Sequence, residues 1–277
     1  MKINGGIRME NRKRINPSML RLLKIPSGSD IIVGRMYLAE GEGPHGTVLL
    51  LHGFPGGMMN LDLASELQQE GWNVLVMNYR GAWGSQGTFS FSNSIEDVLS
   101  VLKYLKESEV AKENRIDTNR IGLIGHSFGG FLALKVASIE PSIHTVASLS
   151  GANFGLFAQM VEQDPSFEAQ IREVLKEGAF FLNGASADSI MEEVLLNQIE
   201  WNTFLYAPLL FKRNILLTAA DFDEEIPKMY FHDPLVDILE KAGANQLQTK
   251  VFETDHNYLN HRKELAQTLH NWLDEVL

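Results

Sequence analysis

Residues 121–130 read IGLIGHSFGG. An apolar run ends at Gly125, the polar pair His126 and Ser127 follows, and Phe128, Gly129 and Gly130 open the next segment. The run 121–125 predicts a strand and 127–138 a helix, so Ser127 falls on the turn between them. Glycines on both sides permit a tight turn and close packing of helix on strand. Such a turn lifts the serine to the carboxyl end of a sheet, where open α/β folds place their sites. The helix N-terminus beside it offers free N–H groups and the positive end of a dipole. A weak oxygen nucleophile attacking a carbonyl needs these surroundings.

Working outward, TVLLLHG at 47–53 is apolar without alternation, the pattern of a strand covered on both faces. Before it, 20–25 and 31–38 predict strands around a turn at 26–30. After it come a helix at 58–70, a strand at 73–78 and a helix at 94–106 with apolar residues at helical spacing. Beyond the opening stretch lies a strand at 145–150. The rhythm then breaks, because 151–212 hold amphipathic helical stretches and no strand pattern. Alternation resumes with a strand at 214–219, a helix at 233–242, a strand at 248–252 and a helix at 262–277. These readings predict an α/β fold, a mostly parallel sheet of about eight strands with helices on both faces. The expected division is a core of residues 1–150 and 213–277, with a small helical cap, 151–212, inserted after the sixth strand. A plain crossover needs only a dozen or more residues.

Composition narrows the function. The chain has 277 residues with a net charge of −11, which disfavours general nucleic-acid binding. It has no cysteine, which removes disulfides, thiolate nucleophiles and Cys-based metal sites. No HExxH or comparable cluster predicts a metal. The basic N-terminal stretch lacks the apolar core of a secretory signal, and Arg12, Lys13 and Arg14 read as a solvated arm. No apolar run is long enough for a membrane helix. The expectation is a cytoplasmic protein, monomer or homodimer, acting on a small molecule without a cofactor.

The stretch GHSFGG resembles the nucleophile elbow of the α/β-hydrolase family, and HGFPGG at 52–57 resembles its oxyanion loop. The resemblance runs from about residue 45 to the end of the chain. It implies backbone donors at Phe54 and Phe128, and a chain order of serine, acid, histidine. The acid expected from it is Asp223, at the end of the strand NILLTA and shortly before Ile226 and Pro227; Asp221 is the alternative. The base expected from it is His256, in the loop before the last helix, with His261 as the alternative. Glu224 and Glu225 read as solvated. His52 and His126 read as shaping their loops, and His144, His232 and His270 as surface or packing residues away from the elbow.

The loop NYRGAWGSQG at 78–87 resembles segments of dienelactone-hydrolase-like and prolyl-oligopeptidase-like members. Serine at the elbow disfavours the members with an aspartate nucleophile and departs from dienelactone hydrolases, whose elbow usually carries cysteine. Trp83 in that loop, and Phe154, Phe157 and Trp201 among the aromatics of 151–212, are candidates for contacting substrate. Trp83 reads equally well as a packed turn residue. For any one of the cap aromatics packing on the sheet is the favoured reading, with two or three of them expected to face the pocket. The resemblance implies a serine hydrolase cleaving a carboxylic ester or thioester, and the aromatics of 151–212 predict a small to medium apolar acyl or alcohol group. An amide or short-peptide hydrolase on the same residues, and a non-catalytic binding protein on the same fold, are the alternatives.

Overall fold

Residues 45–51 form the strand that the apolar run predicts. In the computed structural model, which describes residues 16–277, β3 (His45–Leu51) sends Val48 and Leu50 to one face of a sheet and Leu49 and Leu51 to the other. Successive strand side chains alternate sides, so an unbroken apolar run needs cover on both. The same holds for β4 (Asn73–Met77) and β6 (Thr145–Leu149), which are buried throughout. By contrast β1 (Met19–Ser27) and β2 (Asp30–Leu38) alternate buried with more exposed residues and pair antiparallel at one edge. With β5 (Ile116–His126), β7 (Asn214–Ala220) and β8 (Leu247–Phe252) they form one eight-stranded sheet in the order β1-β2-β4-β3-β5-β6-β7-β8. From β4 to β8 every neighbouring pair is parallel. Arg12, Lys13 and Arg14 lie outside the described residues.

One face is covered by α1 (Leu61–Gln69) and α10 (Arg262–Val276), through Leu63, Leu67, Leu265, Leu269 and Trp272. The other carries α2 (Phe91–Leu105), α4 (Phe128–Ile139) and α9 (Lys228–Lys241), among others. Helix α4 is buried from Phe128 to Ala137, because it lies between the sheet and a further layer. A helix apolar all round has no solvent face to offer. Its one cation, Lys135, reaches Glu200 at 2.8 Å.

That further layer is the stretch between β6 and β7. It contains α5 (Phe154–Gln163), α6 (Pro165–Ala179), α7 (Ala187–Leu196) and α8 (Ala207–Leu210), and no strand of the sheet. Each long helix is started by a side-chain cap: Asn153, Asp164 with Pro165 behind it, and a Ser186–Ser189 capping box. The layer is tied to the sheet's own helices by the Glu193 carboxylate, which accepts from the N–H groups of Phe91 and Ser92 at 2.8 Å each. A second tie is Asn183, whose N–H donates to Gly81 O and whose carbonyl accepts from Phe89 N–H.

Some elements differ from expectation. A short helix, α3 (Ser108–Glu113), was not foreseen, and β5 begins five residues before the apolar run, within the polar stretch IDTNR. Helix α9 starts at Lys228 and runs through Pro234 rather than beginning beside it. Proline removes one helical hydrogen bond, here to the carbonyl of Tyr230, a half-exposed residue on the outer turn that water can serve.

Candidate active site

Ser127 sits between β5 and α4 with φ 58° and ψ −118°, a region costly for any residue but glycine. Such backbone strain persists only where surroundings enforce it, and it clusters at functional sites. Here they do. The Ser127 N–H donates to Leu149 O at the end of β6, and its carbonyl accepts from Gly130, Phe131 and Ala152. A side chain at Gly125 would collide with the backbone of Gly129, and one at Gly129 with the backbone of Leu51 and His52. The glycines of GHSFGG thus let α4 rest directly on β5 and β3.

The loop after β3 comes to the same point. A Cβ on Gly53 would stand 3.1 Å from Ser127 Cβ. The N–H groups of Phe54 and Phe128 have no hydrogen-bond partner among the described residues. His52 is buried; its Nδ1 donates to Gly53 O at 2.8 Å and its ring lies against Tyr79. Burial lowers its pKa to about 4, against the opposing effect of that carbonyl.

Asp223 and His256 follow the ends of β7 and β8. His256 Nδ1 donates to Asp223 Oδ2 at 2.7 Å, so Nε2 is the ring nitrogen that serves as acceptor whenever the ring is neutral. Asp223 Oδ1 accepts from the N–H groups of Glu225 and Ile226. Burial pushes the Asp223 carboxyl up, but the hydrogen bond and charge of His256 and the Ile226 N–H outweigh it and hold its pKa below the usual range. The sequence alternatives lie elsewhere. Asp221 is exposed on the turn, and His261 pairs with Glu264.

Among the described residues no hydrogen bond joins Ser127 Oγ to His256 Nε2. The elbow is linked to His256 one residue earlier. His126 Nε2 donates to the His256 carbonyl at 2.8 Å, and the two rings lie 4.8 Å apart. Burial, aided by the charge of His256, lowers the His126 pKa to about 3, so the ring is neutral and Nε2 carries its proton. Behind Asp223, the buried Tyr258 hydroxyl bridges Ser150 and Thr218 at 2.9 Å each. Glu225, read from the sequence as solvated, is 67% exposed, and its Oε2 lies 3.8 Å from His256 Nε2, a proximity the sequence did not signal. His232 lines a cavity of about 20 Å³ together with Ser150 and Ile226, and no residue of the elbow lines it.

The candidate contact residues fall in two places. Trp83 is 39% exposed, donates Nε1–H to Pro55 O at 2.8 Å and stacks on Phe181. Phe154 and Phe157 are half-buried, and Phe154 packs edge-on to Phe91, Phe128 and Phe131. Trp201 is 2% exposed, against Phe91 and Phe131. Helix α6 closes over the loop after β3, with Gly178 leaving room for the Phe54 ring.

Comparisons with known proteins agree with this architecture. The family described as alpha/beta hydrolase fold matches residues 46–203. Acylamino-acid-releasing enzyme 1 of Oryza sativa subsp. japonica is 30% identical over 112 residues, 37% of this chain but only 14% of that protein's length. The Pyrococcus furiosus esterase Pf2001 superposes with a TM-score of 0.68 at 17% identity, covering 94% of this chain and 92% of the esterase. The acylaminoacyl peptidase of Pyrococcus horikoshii gives a TM-score of 0.70 at 17% identity, over 94% of this chain and 42% of the peptidase. At such identities the structural likenesses carry the fold alone.

Proposed function

The chain belongs to the alpha/beta hydrolase fold family, and from that premise we propose that it is a serine hydrolase cleaving carboxylic esters, thioesters included. Ser127 Oγ attacks the carbonyl carbon while His256 Nε2 takes its proton. Asp223 holds the ring and stabilises the imidazolium. The oxyanion sits between the N–H groups of Phe54 and Phe128, each such donor typically worth about 2.7–4 kcal/mol. The carbon–oxygen bond of the leaving alcohol then breaks, and that oxygen takes the proton from Nε2. Water, deprotonated by the same nitrogen, attacks the acyl-enzyme, releases the acid and returns the proton to Ser127.

The observation that carries this reading is the His256–Asp223 hydrogen bond at 2.7 Å beside a strained serine with two free N–H groups at hand. The absence of a resting bond from Ser127 to His256 does not oppose it, because such bonds are often long before substrate binds. Helices α5 to α8 form the cap in this reading, with Phe154, Phe157 and Trp201 on its inner side and Trp83 at the entrance. Their aromatic character favours a small to medium apolar acyl group. We read the protein as cytoplasmic, monomeric or homodimeric, and working without a cofactor; no described helix is long and apolar enough to cross a membrane.

A fluorophosphonate probe followed by intact-mass measurement tests the proposal. One adduct on the wild type and none on Ser127→Ala is the expected result, with ester turnover falling at least about a thousandfold in the variant. A wild type that takes no adduct and turns over no ester would favour a binding protein instead. The similarity to an acylamino-acid-releasing enzyme supports a second reading, an amide or short-peptide hydrolase using the same residues. Relative rates on an ester and an amide of the same acyl group separate the two.

A further inference from the structure

We propose that Glu225 makes the leaving-group side of this site selective for substrates whose departing alcohol or amine carries a cation, such as an ammonium group. The inference rests on the serine-hydrolase reading above. In that reaction the departing atom takes its proton from His256 Nε2, so it must come within about 3 Å of that nitrogen. Glu225 Oε2 lies 3.8 Å from the same nitrogen. A substituent a few bonds along the leaving group therefore passes close to this carboxylate.

Three features make the charge effective there. The Glu225 backbone is fixed, because its N–H donates to Asp223 Oδ1 at 3.0 Å, so the side chain swings from an anchored point. Among the described residues no lysine or arginine lies within ion-pair distance of it, while the cations of neighbouring elements are engaged elsewhere. Arg262 pairs with Asp62 at 2.6 Å and Lys228 with Asp233 at 2.8 Å. Asp223 places a second carboxylate on the other ring nitrogen. A cation arriving beside Nε2 of the neutral ring thus meets two carboxylates, Asp223 behind the ring and Glu225 beside Nε2. A carboxylate on the leaving group meets repulsion. The side chain is 67% exposed, so water and salt weaken the effect without removing it.

Three butyrate esters test this, with choline, 3,3-dimethylbutanol or glycolate as the leaving alcohol. The first two have nearly the same shape and differ in charge. At low salt the wild type should favour choline over its neutral isostere by at least about threefold in kcat/KM, and disfavour glycolate. Glu225→Gln should bring the choline ratio towards one, Glu225→Lys should reverse the order, and added salt should shrink the wild-type ratio. Each ratio is taken within one protein sample, so a lower general activity or folded fraction cancels. A ratio unmoved by Glu225→Gln, with the neutral ester still cleaved, overturns this inference alone. If none of the three esters is cleaved faster than by Ser127→Ala, the hydrolase reading falls and takes the inference with it.

Discussion

His126 is one residue from the serine and carries two separate consequences. Its Nε2–H fixes the His256 carbonyl across 130 residues of chain, so it acts on the reaction through the position of another side chain. His126→Ala should lower kcat about tenfold or more while moving KM little, since misplaced catalytic geometry costs rate rather than ground-state binding. A variant that changes KM and leaves kcat intact would assign His126 to substrate instead. The second consequence concerns acid. His52 and His126 titrate at about 4 and about 3 in the folded chain because both are buried, against about 6.5 when unfolded. Their folded pKa values are depressed, so between those limits the unfolded chain binds more protons, and stability is lost as the pH falls and regained as it rises. The two together should cost up to about 2–3 kcal/mol per pH unit below roughly pH 6, and little above pH 7.5. Urea midpoints across that range measure the slope, which should roughly halve in His126→Ala. A flat profile would mean that neither ring is held neutral.

Helices contribute through their ends. The two N–H groups that open α2 have no partner of their own in the helix, and Glu193 of α7 takes both. A carboxylate there gains from hydrogen bonds and from the helix dipole together. Glu193→Ala should destabilise the protein by about 1–3 kcal/mol, read as a lower urea midpoint; an unchanged midpoint would mean that water serves these N–H groups equally well. This tie also shows where sequence reading stops. Ser127 and the glycines around it were legible as a short motif at a strand end. Asp223 and His256 instead came from the chain order that the family resemblance implies, with Asp221 and His261 as alternatives until the 2.7 Å bond between Asp223 and His256 brought that pair together. The sheet was legible because apolar runs of strand length admit few other readings. The Glu193 bond, the His126 bond and the nearness of Glu225 to His256 join segments whose separation along the chain says nothing about distance in space. The polar start of β5 was hidden by its composition. The N-terminal half of α9 was hidden by Pro234, which marks a helix start more often than an interior.

At the scale of the whole molecule, the sheet distributes the candidate site unevenly. Ser127 follows β5, which has strands on both sides, whereas Asp223 and His256 follow β7 and β8, the last two strands at one edge. Among the described residues β8 has only one neighbour, and only Phe252 within it is buried. Opening of a protein proceeds locally from its least protected parts, so β8 and the loop that carries His256 should release before the centre of the sheet. Activity measured in increasing urea should therefore be lost at a lower concentration than the far-ultraviolet circular dichroism of the sheet and helices. Amide hydrogens of Leu123 and Ile124 should exchange more slowly than those of Thr249 and Val251. Coincident midpoints and uniform exchange would mean that the edge is as secure as the centre. If the order holds, the practical lifetime of the protein is set by one peripheral strand, and stabilising that edge would prolong function more than any improvement of the interior.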